Sequence, residues 1–232
     1  VQWQERRDNA SRLLPEARAA STLVITGFIA RDPDGLQTTL GRNGSDFSAS
    51  IFGDLLDASE IHIWRDVDGV LSADPRRVPD ATVIDSLSYH EAMELAYFGA
   101  KVIHPQTMAP AVQKRIPIWI RNTFAAEKPG TLITEAPVSL HAVKGITSID
   151  HIALVNVEGA GMIGVPGTAQ RLFGALREHG ISVILISQGS SEHSICFAVP
   201  AADAAHTERT VREAFEAELR QGQIQNVDAV SG

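Results

Sequence analysis

The chain has 232 residues, of which 44% are apolar, enough to bury a core in one large or two small domains and too many for a disordered tail. Twenty Lys and Arg against twenty-eight Asp and Glu leave a net charge of −8, which argues against a general nucleic-acid binder but allows a local basic pocket for a small anion. Cys196 is the single cysteine, so an internal disulfide and a multi-cysteine metal site are both excluded, and it reads as a small buried residue in a strand.

No apolar run approaches the ~20 residues of a membrane span, and the start, VQWQERRDNASRLLPEARAA, is polar and charged rather than signal-like. The expectation is a soluble, cytoplasmic protein with no membrane or nucleic-acid partner. The missing initiator Met reads as a piece of a longer chain.

In chain order, LVITGFI (23–29) predicts a buried strand, ended by the turn Asp32-Pro33-Asp34-Gly35. A return strand over 36–40 leads into the loop GRNGS (41–45) and a helix from about Asp46 to Leu56. EIHIWR (60–65) alternates as a strand, DVDG (66–69) turns, and a loop runs to Pro79. Ser88 and Glu91 have capping-box spacing and open a helix with Ala92, Leu95, Ala96 and Gly99 on one face. A second short helix lies among Pro105 and Pro110, followed by the strand IPIWIRN (116–122) and the turn PGT (129–131). This alternation predicts an α/β layer structure. The polar stretch 134–148 holds the domain boundary, near Ala136-Pro137, so the first domain is expected over 1–136 and the second over 145–232.

The second region has another rhythm. IALVNVEG (152–159) reads as a strand, and 167–180 as a helix with Ala169, Leu172, Phe173 and Leu176 inward and Gly180 just past its end. Strands over 181–188 and 194–200, a helix over 206–221 with Val211, Phe215 and Leu219 inward, and a strand over 223–230 complete the order βαββαβ, a ferredoxin-like unit.

Several segments could carry chemistry. In TLGRNGSD (39–46), two glycines admit an anion close to backbone amides at a helix start, and Arg42 offers a planar fork for a carboxylate. Asp46 could cap the helix or orient a substrate amine. In WRDVDGVLSADPR (64–76), Asp66, Asp68 and Asp74 follow a strand, where open α/β sheets bind ligands. They could hold a nucleotide or a metal-bound phosphate; Asp-Gly and Asp-Pro sequences also strongly favour Asx turns, which would explain them without a ligand. In YFGAKVIHP (97–105), Lys101 is one of only four lysines against sixteen arginines and could reach a phosphate, or serve as a helix C-terminal charge. His104, before a proline, reads as structural. Gly159, Gly161 and Gly164 spell GxGxxG, but Pro166 and Gly167 lengthen the loop and the next strand ends in Gln188-Gly189 without the acidic residue a dinucleotide fold needs. That loop reads as a small-ligand or interface loop. No dedicated metal site is assigned.

Together TLGRNGSD, WRDVDGVLSADPR, YFGAKVIHP, IRNT and PGT resemble the aspartate kinases of the amino-acid kinase family, in order and spacing. The second region resembles the regulatory ACT module that follows that kinase. QGSSEHSI (188–195) and VREAFEAELRQG are most like the subgroup fused to homoserine dehydrogenase. The resemblance implies the C-terminal part of a kinase sheet sandwich followed by a ferredoxin-like ACT domain, and ATP-dependent phosphorylation of L-aspartate on its side-chain carboxylate, with Mg²⁺. By match, Arg42, Asn43, Gly44 and Ser45 would bind aspartate beside Asp46, and Arg65, Asp66, Leu71, Arg76, Lys101 and Val102 fall at nucleotide positions. Leu71 stands where other members carry an aromatic residue. Gly161, Met162, Val165, Ile186 and Gln188 would face an amino-acid effector, threonine for the fused subgroup or lysine otherwise. Exposed edges of the ACT sheet imply a homo-oligomer. The family's Lys-Phe-Gly-Gly segment is not found, so the chain alone is expected to have little or no kinase activity.

Overall fold

The computed structural model describes residues 4, 8, 9, 22–97, 104–138, 141–189 and 193–231. The chain divides into two compact units, Val1–Ser148 and Ile149–Gly232.

In the first unit, β1 (Ile29–Arg31) and β2 (Gln37–Thr39) form an antiparallel ribbon. Helix α1 (Gly44–Leu56) leads to β3 (Ile61–Arg65), then β4 (Ser86–Ser88), α2 (Tyr89–Tyr97), α3 (Pro105–Gln113), β5 (Ile118–Asn122) and β6 (Thr131–Thr134). The strands make one mixed sheet in the order β3-β5-β6-β4. β3 and β5 run parallel, with Arg65 opposite Asn122, so their carboxyl ends lie side by side. The period-2 alternation puts Ile61, Ile63, Ile118, Ile120 and Ile133 on the buried face, where Met108, Ala111, Tyr89 and Ala92 complete the core. The predicted capping box forms: Glu91 N donates to Ser88 Oγ at 3.1 Å and Ser88 N donates to Glu91 Oε2 at 2.7 Å. The His104 carbonyl accepts Thr107 N at 3.0 Å and Thr107 Oγ1 at 2.7 Å at the start of α3, which is a structural role.

Three expectations change here. LVITGFI is no buried strand: residues 22–27 are irregular, and Leu23 and Val24 are 45% and 92% exposed. A strand is buried by its neighbours rather than by its own composition, and only Ile29–Arg31 finds a partner strand among the described residues. α1 starts two residues before Asp46, so Asp46 lies in its first turn and is not its cap. β4 and β6 are too short to show a period in the sequence; β4 becomes a strand by pairing with β6, and β6 by pairing with β4 and β5.

The second unit holds β7 (Ile152–Glu158), α4 (Thr168–Glu178), β8 (Leu185–Gln188), β9 (Ser194–Pro200), α5 (Ala204–Ala214), α6 (Glu216–Arg220) and β10 (Asn226–Ser231). All pairings are antiparallel and the order is β10-β7-β9-β8, the ferredoxin-like βαββαβ arrangement. Val155, Val157, Phe197 and Val199 face Leu172, Leu176, Val211 and Phe215 in one core. Cys196 stands on β9, half-buried.

The strand predicted over 181–188 is shortened to its last four residues. Gly180, at φ +68, turns the chain so that its N–H donates to Arg177 O and Ile181 N donates to Leu176 O at 2.9 Å. Closing the helix end takes up the residues that would have extended the strand. The helix predicted over 206–221 breaks at Phe215, whose φ of −117° and ψ of 27° leave the helical range, and at the break Arg171 Nε donates to the Ala214 carbonyl at 3.0 Å. The Arg171 guanidinium also lies 4.4 Å from the centre of the Phe215 ring and pairs with Glu218.

Candidate functional site

The site of the first unit is built where α1 begins and β3 and β5 end. The loop before α1 turns at Asn43, whose φ of 59° and ψ of 25° are left-handed, a conformation that Asn tolerates better than most residues. Its side chain makes no cap bond, so the amides that open α1 are not covered by their own cap. Gly44 is required by space: a Cβ there would stand 2.8 Å from Phe28 Cδ2 and 2.9 Å from Leu40 Cβ. Ser48 locks the approach, accepting Phe28 N at 2.9 Å and donating to Gly44 O at 2.9 Å. Arg42 and Ser45 are exposed on this turn.

Asp46 is 9% exposed and its carboxylate pairs with the Arg65 guanidinium. Burial pushes the Asp46 pKa above the ordinary carboxylate value, against the opposing pull of Arg65. Arg65 Nε is itself buried without a hydrogen-bond partner, so the guanidinium keeps one unused donor in a desolvated position. The structure thus joins a residue expected beside aspartate to one expected beside the nucleotide.

Asp66 is exposed just past β3. Asp68 is committed: it accepts Asn122 Nδ2 at 2.6 Å and Lys128 Nζ at 2.6 Å. Those bonds, from Lys128 first and Asn122 second, hold its pKa below the ordinary value. Leu71 is half-buried in an isolated bridge to Val83. Asp74 accepts Arg76 N at 2.9 Å, Nε at 3.0 Å and Nη2 at 2.7 Å, which lowers its pKa to about 2. Asp74 is therefore the Asx turn that its sequence allowed, and Arg76 closes the same loop. Lys101 and Val102 lie outside the described residues. Asn122 and Thr131 were legible only inside the motifs IRNT and PGT, and Lys128 was missed by sequence reasoning; together they tie the loop after β3 to the loop after β5, and Thr131 Oγ1 accepts Val70 N at 2.8 Å. Only a polar residue ending an apolar strand, Asn122, pointed to this.

In the second unit, a cavity of about 290 Å³ opens between the loop that leads into α4 and residues of β8 and β9. Met162, Val165 and Gln188 line it, with Thr168, Ala169 and Ile195. Gly161 and Ile186 are not among its lining residues; Gly161 N donates to Gln223 O at 2.9 Å, and Ile186 is 55% exposed on the edge strand β8. Among the described residues no group of three or more His, Cys, Asp or Glu could hold a metal ion, and no helix is long and apolar enough to cross a membrane.

This arrangement agrees with family models. The amino acid kinase family model matches residues 2–122 and an ACT domain model matches residues 155–215. The chain belongs to the amino acid kinase family, with an ACT domain following the kinase region.

It is 49% identical, over 91% of its length, to the bifunctional aspartokinase/homoserine dehydrogenase 1, chloroplastic, of Zea mays, covering 24% of that protein. It is 46% identical, over 90% of its length, to the bifunctional aspartokinase/homoserine dehydrogenase of Haemophilus influenzae, covering 26% of it. Among solved structures it resembles E. coli aspartokinase III in complex with lysine and aspartate, with a TM-score of 0.72 and 30% identity, covering 99% of this chain and 50% of that one. Clostridium acetobutylicum aspartate kinase gives a TM-score of 0.79 at 26% identity, covering 95% of this chain and 51% of that one. The chain thus spans about a quarter of the curated relatives and half of the solved ones.

Proposed function

We propose that this chain forms part of an enzyme that phosphorylates the side-chain carboxylate of L-aspartate with ATP, under control by an amino acid bound to its ACT domain. The observation that carries the reading is the Asp46–Arg65 pair, which brings the glycine-flanked turn 41–45 to the carboxyl end of β3 and leaves Arg65 Nε with an unused donor. Arg42, Asn43, Gly44 and Ser45 would take aspartate, the Arg42 fork facing a carboxylate and the first amides of α1 favouring negative charge. Asp46 offers a carboxylate to the substrate ammonium. Arg65, Asp66, Leu71, Arg76, Lys101 and Val102 would take the nucleotide.

In the reaction, an oxygen of the aspartate side chain forms a bond to the γ-phosphorus, the bond from that phosphorus to the bridging oxygen breaks, and ADP leaves with the electron pair. A carboxylate is ionised at neutral pH, so no general base is needed. Alignment and charge neutralisation then carry the rate. Mg²⁺ supplies part of that neutralisation when bound. The donor set suits an ion that arrives on the nucleotide phosphates and meets one or two carboxylates, with Asp66 the exposed one at the strand end.

The cavity beside α4, lined by Met162, Val165 and Gln188, is the proposed effector site, with threonine favoured over lysine. The edge strands β8 and β10 are the proposed contacts of a homo-oligomer. The test uses the longest natural polypeptide that carries this sequence. Arg42→Ala is expected to raise the KM for aspartate at least tenfold and leave that for ATP within twofold. A module that senses amino acids without chemistry of its own would be indifferent to the change and show no aspartate-dependent ADP release. Calorimetric titration with threonine and with lysine decides the effector. The 232-residue chain alone is expected to show little or no turnover.

A further inference from the structure

Beyond the residues already named, the loop after β5 presents one aromatic ring. Phe124 is 85% exposed and follows directly on the end of β5. Single exposed apolar residues are ordinary, but the backbone of this one is held at its own amide and at the one before it. Thr123 N donates to Arg65 O at 2.7 Å, and Phe124 N donates to Asn122 Oδ1 at 2.8 Å. The Asn122 amide is oriented in turn by its 2.6 Å bond to Asp68, and Asp68 is held by Lys128 at 2.6 Å. A chain of side-chain bonds therefore holds the backbone that carries this ring, which buries little surface and contributes little to the core.

The position matters as much as the fixation. The ring stands at the adjacent carboxyl ends of two parallel strands, where open α/β sheets take ligands. One bond away is Arg65, with its unused buried donor. Leu71, the aliphatic residue on the loop after β3, is half-buried against Val83 and offers no aromatic face.

We propose that Phe124 is the stacking platform for the base of the bound nucleotide, and that Asp68 is a positioning residue that holds it through Asn122. The proposal rests on the nucleotide reading given above and adds the residue that grips the base. Stacking of a base on an aromatic side chain is worth about 1–3 kcal/mol, and ~1.4 kcal/mol is tenfold in affinity.

The experiment is calorimetric titration of the longest natural polypeptide carrying this sequence with Mg·ATP and with inorganic tripolyphosphate, which has no base. Phe124→Leu is expected to weaken ATP about tenfold, to leave tripolyphosphate within twofold, and to be rescued by Phe124→Trp. Asp68→Ala is expected to weaken ATP in the same way, and the double variant to be no weaker than Phe124→Leu alone. A purely structural role for Asp68 would instead weaken tripolyphosphate as well and multiply with Phe124→Leu. If the parent binds ATP and Phe124→Leu binds it within twofold, the platform is overturned while the nucleotide reading stands. If the parent binds no ATP, the nucleotide reading itself falls and the platform with it.

Discussion

The Asp46–Arg65 pair is the contact on which the proposed site turns, and its energetics can be measured apart from any activity. The two side chains are 11% and 25% exposed, so neither is fully screened by water. Removing one partner of a fully buried pair costs about 3–5 kcal/mol; the quarter exposure of Arg65 brings this down to roughly 2–3 kcal/mol for Arg65→Gln. Asp46→Asn is expected to cost less, about 1–2 kcal/mol, because it also removes a charge that burial already disfavours.

The two costs have different pH behaviour. A carboxyl whose folded pKa is raised destabilises the fold while ionised and ceases to do so as pH falls through that pKa. Arg65→Gln leaves the Asp46 carboxylate without its cation, so its penalty is expected to shrink on acidification from neutral pH. Asp46→Asn should show no such relief.

The assay is urea unfolding followed by tryptophan fluorescence, which reports no change in the second unit because residues 149–232 contain no tryptophan, while Trp64 and Trp119 stand on β3 and β5. A double-mutant cycle should return a coupling of about 1–2 kcal/mol. A coupling under ~0.5 kcal/mol, the level of additivity between independent sites, or a pH-independent Arg65→Gln cost, would refute the reasoning.

Two further outcomes are expected. Ser88→Ala should destabilise the first unit by about 1 kcal/mol in the same urea assay, since it removes the acceptor of Glu91 N at the start of α2; Glu91→Gln keeps an oxygen for Ser88 N, so the cost it shows should come from the lost ion pair with Lys144 and should vanish in a Lys144→Met background. The Asp74 carboxyl, lowered from 3.8 to about 2 by the hydrogen bonds from Arg76, should stabilise its loop fully above pH ~4 and lose that contribution as pH falls toward 2; carbon-detected NMR titration should return it toward 3.8 in Arg76→Ala.

Local rules were enough for some elements. The capping box at Ser88 and Glu91, the Leu172/Leu176 stripe of α4 and the glycine after it act between residues a few positions apart, and each is present. The candidate site was legible only as residue types at strand and helix ends. Which carboxylates were open was not legible: Asp68 and Asp74 look alike beside Asp66, yet Asp68 is occupied by Asn122 and Lys128 from more than fifty residues away and Asp74 by Arg76 from two. The same applies to LVITGFI, whose composition is that of a core strand and whose exposure is set by the absence of a neighbour among the described residues.

By itself, then, the amino-acid order determined what nearest neighbours along the chain can decide: the helices, the turns, the βαββαβ rhythm of the second unit and the placing of charged residues at strand ends. Tertiary structure alone decided that Asp46 meets Arg65 across nineteen positions, that Asp68 is taken and Asp66 open, and that Phe124 is held out to solvent. The reason is physical: a side chain's charge, exposure and free donors depend on whatever the fold brings against it, and those partners come from distant parts of the chain that no local period encodes.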